Sequence, residues 1–468
     1  MIPMLLDEAA VAMGAPLPAG IEPVQVQRVV TDSRVVESGD LFVALSGKTF
    51  DGHQFVEEAA RRGAVACLVE RGSGPVEAPG RLVPRLVVPD AVAALGQLAV
   101  FYRRSVMPAS TVLIAVTGSN GKTTTKRMID HILAPTLRGR SAPRSFNNHL
   151  GVPLTLLSAG ADDRYLIVEI GTNAPGEVAS LAAMVKPHVG VITSIGEAHL
   201  EGLGDIRAIA AEKASLLTHV RDHGFAVINI DRREIRPHLP WTFNGRLVTV
   251  GLAPEARLRI TDVAGSIDET TFILDGRYTV RLPMPGPHHA ANAAAAFAVG
   301  RWFGLAPEEI VERLRTFSPP AGRTRRFTVG RVTVVDDTYN ANPPSMLAAV
   351  AALQRAPAGR RVFVMGDMLE LGPTAGQYHR RVVEAVAAAG IETLIVVGPV
   401  SVQAARSLHG ETGSTRVLVC EDQERALAAL ATLMGEEHVV WIKGSRGMEL
   451  DRLVRRLETH IPAPAAVA

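Results

Sequence analysis

The stretch TGSNGKTTT, residues 117–125, lies between the apolar run TVLIAV (111–116) and a helical pattern. Gly118 and Gly121 let the backbone curl through Ser119 and Asn120 so that successive N–H groups face phosphate oxygens. The following helix adds its positive dipole end. Lys122 reaches the outer phosphates, and the hydroxyls of Thr123 and Thr124 follow, the first suited to Mg²⁺. The common form of such a loop has glycine at position 116, where this chain has Val116, so the loop is a shortened G-x-x-G-K-T. An ordinary glycine turn before a helix is the plainer alternative. Strand, lysine and threonine in register argue against it and for a bound nucleoside triphosphate.

On either side of this loop the same alternation continues. RYLIVEI, VGVITSI and FAVINI are apolar runs of strand length, each followed by turn residues and a helical pattern. That predicts a mostly parallel sheet covered by helices. From about Arg257 to Pro283 the pattern becomes a small meander, followed by an alanine-rich helix. Upstream, GDLFVAL, GAVACLVE and RLVVP read as short strands, and a helix is expected from Asp90 to Arg104. Beyond the linker SPPAGR (318–323) the alternation resumes with RVTVVDD, RVFVMGD, TLIVVG, RVLVCED and HVVWIKG, a Rossmann-like unit. The fold expected is therefore α/β in three domains: 1–107, 108–318 and 319–468.

The 468 residues exceed one ordinary core. A composition 47% hydrophobic and 21% charged is that of a globular protein, and a formal net charge of +2 without single-sign blocks implies no nucleic-acid or membrane-surface partner. Cys67 and Cys420 have no metal spacing and read as small buried hydrophobes. The start MIPMLLDEAA lacks the pattern of a secretory signal, and no apolar run is long enough to span a bilayer, so the cytoplasm is the expected location.

Glu169 ends the run YLIVE and His199 lies just beyond VGVITSI. In a doubly wound sheet the carboxyl ends of strands converge, so both can meet Thr123 at a divalent metal. Singly, each has an ordinary structural reading. On pattern alone Lys213, in IRAIAAEKASLL, reads as a solvent-facing lysine beside Glu212.

Taken together, TDSR (31–34), DLFVALSGKTFDGHQF (40–55), TGSNGKT (117–123), FNNHLGVPLTLL (146–157), VEIGTNAPGE (168–177), IGEAHLEGLG (195–204), PGPHHAANA (285–293), DDTYNANPPSM (336–346), GDMLELG (366–372) and KGSRGM (443–448) resemble the Mur ligases over essentially the whole chain. The last three resemble the branch that adds D-alanyl-D-alanine. The resemblance implies an N-terminal domain gripping a UDP-sugar, a central ATPase and a C-terminal domain that closes over both, acting as a monomer. ATP would phosphorylate the free carboxylate of a UDP-N-acetylmuramoyl-tripeptide, and the amine of D-Ala-D-Ala would attack the acyl phosphate.

By motif, the resemblance implies that Lys122 and Thr123 handle ATP and one Mg²⁺, that Glu169 and His199 serve metal sites, and that Lys213 is carbamylated to hold a second Mg²⁺. Asn292, Arg323, Asp337 and Asn340 match nucleotide-contacting positions. Ser33, Arg34, Lys48, Asp51 and His53 match the uridine side, against a competing reading as turn chemistry. Asn147 and Asn148 match the muramoyl-peptide side. Lys443, Ser445 and Arg446 precede the last helix, and Arg446 is the expected cation for the dipeptide carboxylate. Ser445 competes as a helix cap. His289 stands where the family usually has asparagine, which implies an altered adenine-side contact. A sibling Mur ligase or folylpolyglutamate synthetase, a P-loop kinase and a nucleotide-switched binding protein are the alternatives. The NANP and KGSRGM runs argue against the siblings, and a pure binder needs no second metal site.

Overall fold

The structure is a computed structural model that describes all residues except 18–21, 48–49, 73, 79, 144, 240–244, 407–414 and 460–468. Its three larger sheets follow the three runs of strand patterns, and two two-stranded pairs, Met4–Leu5 with Gln25–Val26 and Val76–Ala78 with Arg81–Val83, stand apart from them among the described residues. The N-terminal sheet is parallel, in the order Arg28–Val30, Asp40–Val43, Ala66–Val69, Arg85–Val87. The middle strands are buried along their whole length, as a sheet covered on both faces requires. Cys67 and Cys420 are both buried on strands, unbridged.

The central sheet has nine strands. Val112–Thr117 lies between Tyr165–Glu169 and Val189–Ile192, with Gly139–Ser141 outside the former and Phe225–Asn229 outside the latter. The chain thus turns first one way and then the other at Val112–Thr117, and its phosphate loop sits at this switch point. The expected meander is not a separate unit. Leu258–Gly265 pairs in parallel with Arg246–Gly251 at its start, and antiparallel with Thr270–Leu274 further on. The meander therefore extends the main sheet.

The C-terminal sheet is ordered Arg325–Val329, Val332–Asp337, Val439–Lys443, Arg361–Gly366, Thr393–Val397, Arg416–Cys420, and only its first pair is antiparallel. The last strand to form in sequence, Val439–Lys443, fills the gap left by the crossover from 337 to 361. Asp337 and Lys443 thereby become register partners at the carboxyl edge.

One apolar core runs from the N-terminal sheet (Leu41, Leu68, Leu86) through the helix Ala91–Phe101 to one face of the central sheet (Leu113, Leu166, Ile192). The C-terminal sheet has its own two cores, and the central part of the chain adds only the partly buried Leu200 and Ile267 to one of them among the described residues. No described helix is long and apolar enough to cross a membrane.

Tyr102 pins the first junction. It is fully buried, its Oη donates to Ala159 O at 2.5 Å, and it accepts from Ile2 N at 2.6 Å. Burial holds its phenol up at about 12. Tyr102→Phe leaves the buried Ala159 carbonyl and the part-buried Ile2 amide without this partner, and should cost about 1–3 kcal/mol. A urea unfolding curve should show this as a lower midpoint, and an unmoved midpoint would contradict the assignment.

Candidate functional site

The carboxyl edges of the central and C-terminal sheets face each other over a cavity of about 380 Å³. Its lining includes Ser119, Asn120, Gly121, Lys122 and Thr124 from the phosphate loop, and Asn147, Asn148, Glu169 and His199 from the same sheet's edge. Asn292 and Arg323 also line it, and Asp337, Asn340, Lys443 and Arg446 reach it from the C-terminal unit.

The loop is fixed by its neighbours. Ser119 N donates to Ser194 O at 2.8 Å, Ser119 Oγ to Gly196 O at 2.9 Å, and Asn120 N to Ser194 Oγ at 2.9 Å. A Cβ on Gly118 would stand 2.1 Å from Thr193 Oγ1, and one on Gly121 would stand 2.2 Å from Asn292 Oδ1. Both residues also have left-handed φ, 143° and 82°, so glycine is required twice over. The helix Lys122–Leu133 starts directly at the cavity and aims its N-terminal amides and dipole there. Lys122 Nζ folds back on Gly118 O at 2.7 Å. Burial, with a contribution from Arg323, lowers its ammonium to about 8, against the pull of Glu169.

Glu169 is fully buried at the end of its strand. Thr123 Oγ1 donates to its Oε2 at 2.9 Å, Asn147 Nδ2 to its Oε1 at 2.9 Å, and Lys126 Nζ lies 3.2 Å from Oε2. Burial alone would raise this carboxyl, but Lys126, Arg323, Lys122 and the Thr123 hydroxyl together hold it below the usual carboxylate range. Arg323 Nη2 donates to Thr123 Oγ1 at 3.0 Å and stacks over Tyr339 at 3.8 Å. Thr123 itself is buried behind the loop rather than lining the cavity.

The solvent-facing reading of Lys213 is wrong. The residue is 1% exposed on the helix Ile206–Ala214, and its Nζ has no hydrogen-bond partner among the described residues. Burial first, then the charge of Lys122, push its ammonium well below the ordinary lysine range, toward the neutral amine. The neighbouring Glu212 is buried too and accepts from Val178 N at 2.7 Å and Gly176 N at 2.8 Å. The helix face that carries two charges is therefore an inner one.

His199 adopts a left-handed φ of 56° and sets its Nδ1 2.6 Å from Glu370 Oε2 of the C-terminal unit. No group of three His, Cys, Asp or Glu close enough to hold a metal occurs among the described residues. A metal here would need the Thr123 hydroxyl, substrate oxygens or a modified Lys213 to complete its shell.

Across the cavity Lys443 pairs with Asp337 at 2.8 Å and donates to Asn340 O at 2.9 Å. Burial pushes the Asp337 carboxyl up in spite of Lys443. His289 is buried against His288, with Asn292 Nδ2 3.2 Å from its Nδ1 and Thr324 Oγ1 3.2 Å from its Nε2. Burial and the neighbouring charges drive its imidazolium well below the ordinary range, so the ring sits there neutral. Ser445 is buried and takes a hydrogen bond from Leu369 N at 2.9 Å; its side chain does not cap a helix.

Of the N-terminal candidates, the described ones, Ser33, Arg34, Asp51 and His53, do not line this cavity. Ser33 and Arg34 follow the strand Arg28–Val30, and Arg34 pairs with Asp32 at 2.7 Å. Asp51 Oδ1 accepts from His53 N at 3.1 Å and Nδ1 at 2.7 Å, and Glu70 N donates to His53 Nε2 at 3.0 Å. These groups gather at the carboxyl edge of the N-terminal sheet. Lys48 lies outside the described residues. Asn148 caps the turn before the helix Gly151–Leu157, accepting from Gly151 N at 2.9 Å.

Sequence reasoning missed Lys126, Tyr339, Asn342 and Glu370. Lys126 is readable from spacing, since it lies three residues after Thr123 on the same helix face. Asn342 exchanges two side-chain hydrogen bonds with Asn120, at 2.8 and 3.1 Å. It and Glu370 lie in motifs noted above, but only the fold shows what they face.

Three family domains match in order: the Mur ligase family catalytic domain over residues 25–103, the Mur ligase middle domain over 116–300, and the Mur ligase glutamate ligase domain over 322–446. The chain is 35% identical over 446 residues to the UDP-N-acetylmuramoyl-tripeptide–D-alanyl-D-alanine ligase of Synechocystis, covering 94% of each. A crystal structure of MurF from Acinetobacter baumannii superposes with a TM-score of 0.85 at 31% identity, covering 97% of this chain and 98% of that one. MurF of Thermotoga maritima in complex with ADP gives 0.80 at 28%, over 93% and 99%. With the phosphate loop and the facing sheet edges, these likenesses make the chain a member of the Mur ligase family.

Proposed function

We propose that this chain catalyses the reaction in its relatives' name, the ATP-dependent addition of D-alanyl-D-alanine to a UDP-N-acetylmuramoyl-tripeptide. The observation that carries the reading is one cavity lined on one side by a phosphate loop and on the other by Lys443 and Arg446. A carboxylate is a poor electrophile. One of its oxygens attacks the γ-phosphorus of ATP, the bond to the β-phosphate oxygen breaks, and ADP leaves. The dipeptide amine then attacks the acyl carbon, and the tetrahedral intermediate expels phosphate as the nitrogen loses its proton.

The first step brings two anions together, so the charge of Lys122, Arg323 and the helix N-terminus offsets repulsion in the transition state. Mg²⁺ would add Lewis-acid charge neutralisation when bound. Thr123 and Glu169 offer the hard oxygen donors it prefers, and His199 lies at the same edge. The buried amine of Lys213 fits carbamylation: its neutral form would attack CO₂, the nitrogen would release one proton to solvent, and the carbamate's two oxygens would be available to a second ion. Asn292, Asp337 and Asn340 serve the nucleotide, with His289 a neutral contact on the adenine side.

Ser33, Arg34, Lys48, Asp51 and His53 take the uridine end, and Asn147 and Asn148 the muramoyl-peptide end. Arg446 takes the dipeptide carboxylate, with Lys443 and Ser445 supporting its loop. In this reading residues 1–107, 108–318 and 319–468 are the three working domains of a cytoplasmic monomer. Closure of the third excludes water from the acyl phosphate.

Phosphate release from ATP should require UDP-N-acetylmuramoyl-tripeptide and rise on adding D-Ala-D-Ala, with a product mass gain equal to the dipeptide less water. Release without amide product would overturn the ligase reading in favour of a kinase or another acceptor. In ¹³C-bicarbonate, NMR should show a lysine carbamate resonance that vanishes in Lys213→Ala, with activity falling roughly 100-fold or more. A wild-type spectrum without that resonance would remove the carbamate from the mechanism.

A further inference from the structure

The phosphate loop and its cavity occupy the carboxyl edge of the central sheet. A separate cavity of about 300 Å³ lies at the opposite, amino edge, lined by Arg103, Arg104 and Arg221 with Met107, Pro108 and Leu113 as apolar walls. Leu113 is the second residue of the strand Val112–Thr117, and Arg221 precedes the strand Phe225–Asn229. About five residues of strand, roughly 16 Å, therefore separate this cavity from the phosphate loop.

The arginines are set there by two fixed pieces of backbone. The helix Ala91–Phe101 widens at its end into a π turn, Tyr102–Val106, closed by Met107 N on Tyr102 O at 2.8 Å. Turns of this kind are rare and recur at functional sites. Tyr102 turns inward to Ala159 O, while the two arginines after it line the cavity. From the central sheet, Arg221 is anchored by its Nε on Lys186 O at 2.8 Å and its backbone N on Pro187 O at 2.9 Å. Its outer nitrogens stay available to another partner.

No acid lines this cavity. Elsewhere in the chain such side chains have partners, as Arg28 has Asp40 and Arg361 has Glu392. Here Arg103 Nε is buried without a hydrogen-bond partner among the described residues. Burial first, then the like charges of Arg221 and Arg104, lower the guanidinium of Arg103 below its ordinary range, and burial lowers that of Arg221. His188 offers no compensation. Its Nδ1 accepts from Leu113 N at 2.9 Å, and burial with the charges of Arg221 and Arg103 lowers its imidazolium to about 4, so the ring is neutral. Half-buried like charges without a counter-ion are unfavourable until an anion joins them. The planar fork of a guanidinium fits two oxygens of a phosphate.

We propose that this cavity binds a compact multivalent phosphate, a diphosphate or a small phosphomonoester, on the forks of Arg103, Arg104 and Arg221. The bound anion joins the π turn that ends the N-terminal unit to the base of the central sheet and so stiffens the junction that Tyr102 pins. The site stands apart from the reaction and does not depend on the ligase reading.

The test follows diphosphate and inorganic phosphate by calorimetry and thermal unfolding, at ionic strength held constant with NaCl. The phosphate loop is kept filled by Mg²⁺ and a non-hydrolysable ATP analogue. Wild-type protein should show one saturable site and an unfolding midpoint that rises with the anion. Arg103→Gln and Arg104→Gln should each weaken binding about tenfold or more, as loss of a charge-assisted contact implies. Each should leave the anion-free midpoint unchanged or raise it, because each removes a like charge. Arg104 is exposed, so its variant folds whatever Arg103→Gln does. The absence of a saturable site in wild type overturns the proposal, as does unchanged affinity in the variants. A lowered anion-free midpoint in both variants also overturns it, since the arginines would then serve the fold. Sedimentation with phosphatidylglycerol but not phosphatidylcholine vesicles, lost in both variants and competed by diphosphate, would support the site with a lipid headgroup as the source of the phosphate. Diphosphate binding without sedimentation would support it with a soluble one.

Discussion

Glu169 has no exposed surface, and groups from two other segments converge on its oxygens: Thr123 and Lys126 from one helix, and Asn147 from the loop before the next. A carboxylate withdrawn from water without partners would take up a proton. Here the surrounding charges keep it ionised, and the geometry of the phosphate loop follows. Thr123 and Lys126 are one helical turn apart, so satisfying Glu169 fixes the rotation of the helix whose first turn faces the cavity. Removing Lys126 would leave the charge buried and unpaired, a situation that costs about 3–5 kcal/mol in comparable cases. Register pairing of Glu169 with Val116 then carries the constraint to the strand that feeds the loop.

The apolar cores divide the molecule unevenly. N-terminal and central sheets share one core, with Tyr102 hydrogen-bonded across the junction. The C-terminal sheet meets the rest mainly through polar groups: Asn342 on Asn120, Glu370 on His199, Arg323 on Thr123. Such contacts are individually modest and directional. They specify one relative placement of the sheet edges without the energy of a shared core.

Much of this was legible beforehand because buried parallel strands are written as uninterrupted apolar runs, and because glycines forced by close contact, Gly118 and Gly121, stand out in a short loop. Arg246–Gly251 was not singled out, since its burial is one-sided and its run mixes Arg and Thr with apolar residues. Pattern alone put Lys213 in solvent for a related reason, and only the family resemblance placed it inside: helical periodicity assumes that charge faces water, and the face carrying Glu212 and Lys213 is buried. The N-terminal strand pair Met4–Leu5 and Gln25–Val26 is too short to leave a pattern. Asn342 and Glu370 stood in recognisable motifs, but each faces a residue well over a hundred positions away, a relation that local sequence does not encode.

The exchange between Asn120 and Asn342 joins two uncharged amides, each donating once and accepting once. Dissolved ions screen the attraction between exposed charges over a length of about 8–10 Å at physiological strength, but leave a neutral pair nearly untouched. Acidification across the range that protonates imidazoles leaves it untouched as well. This link between the phosphate loop and the helix Pro343–Leu353 therefore holds through changes of ionic strength and acidity that loosen the charged contacts beside it.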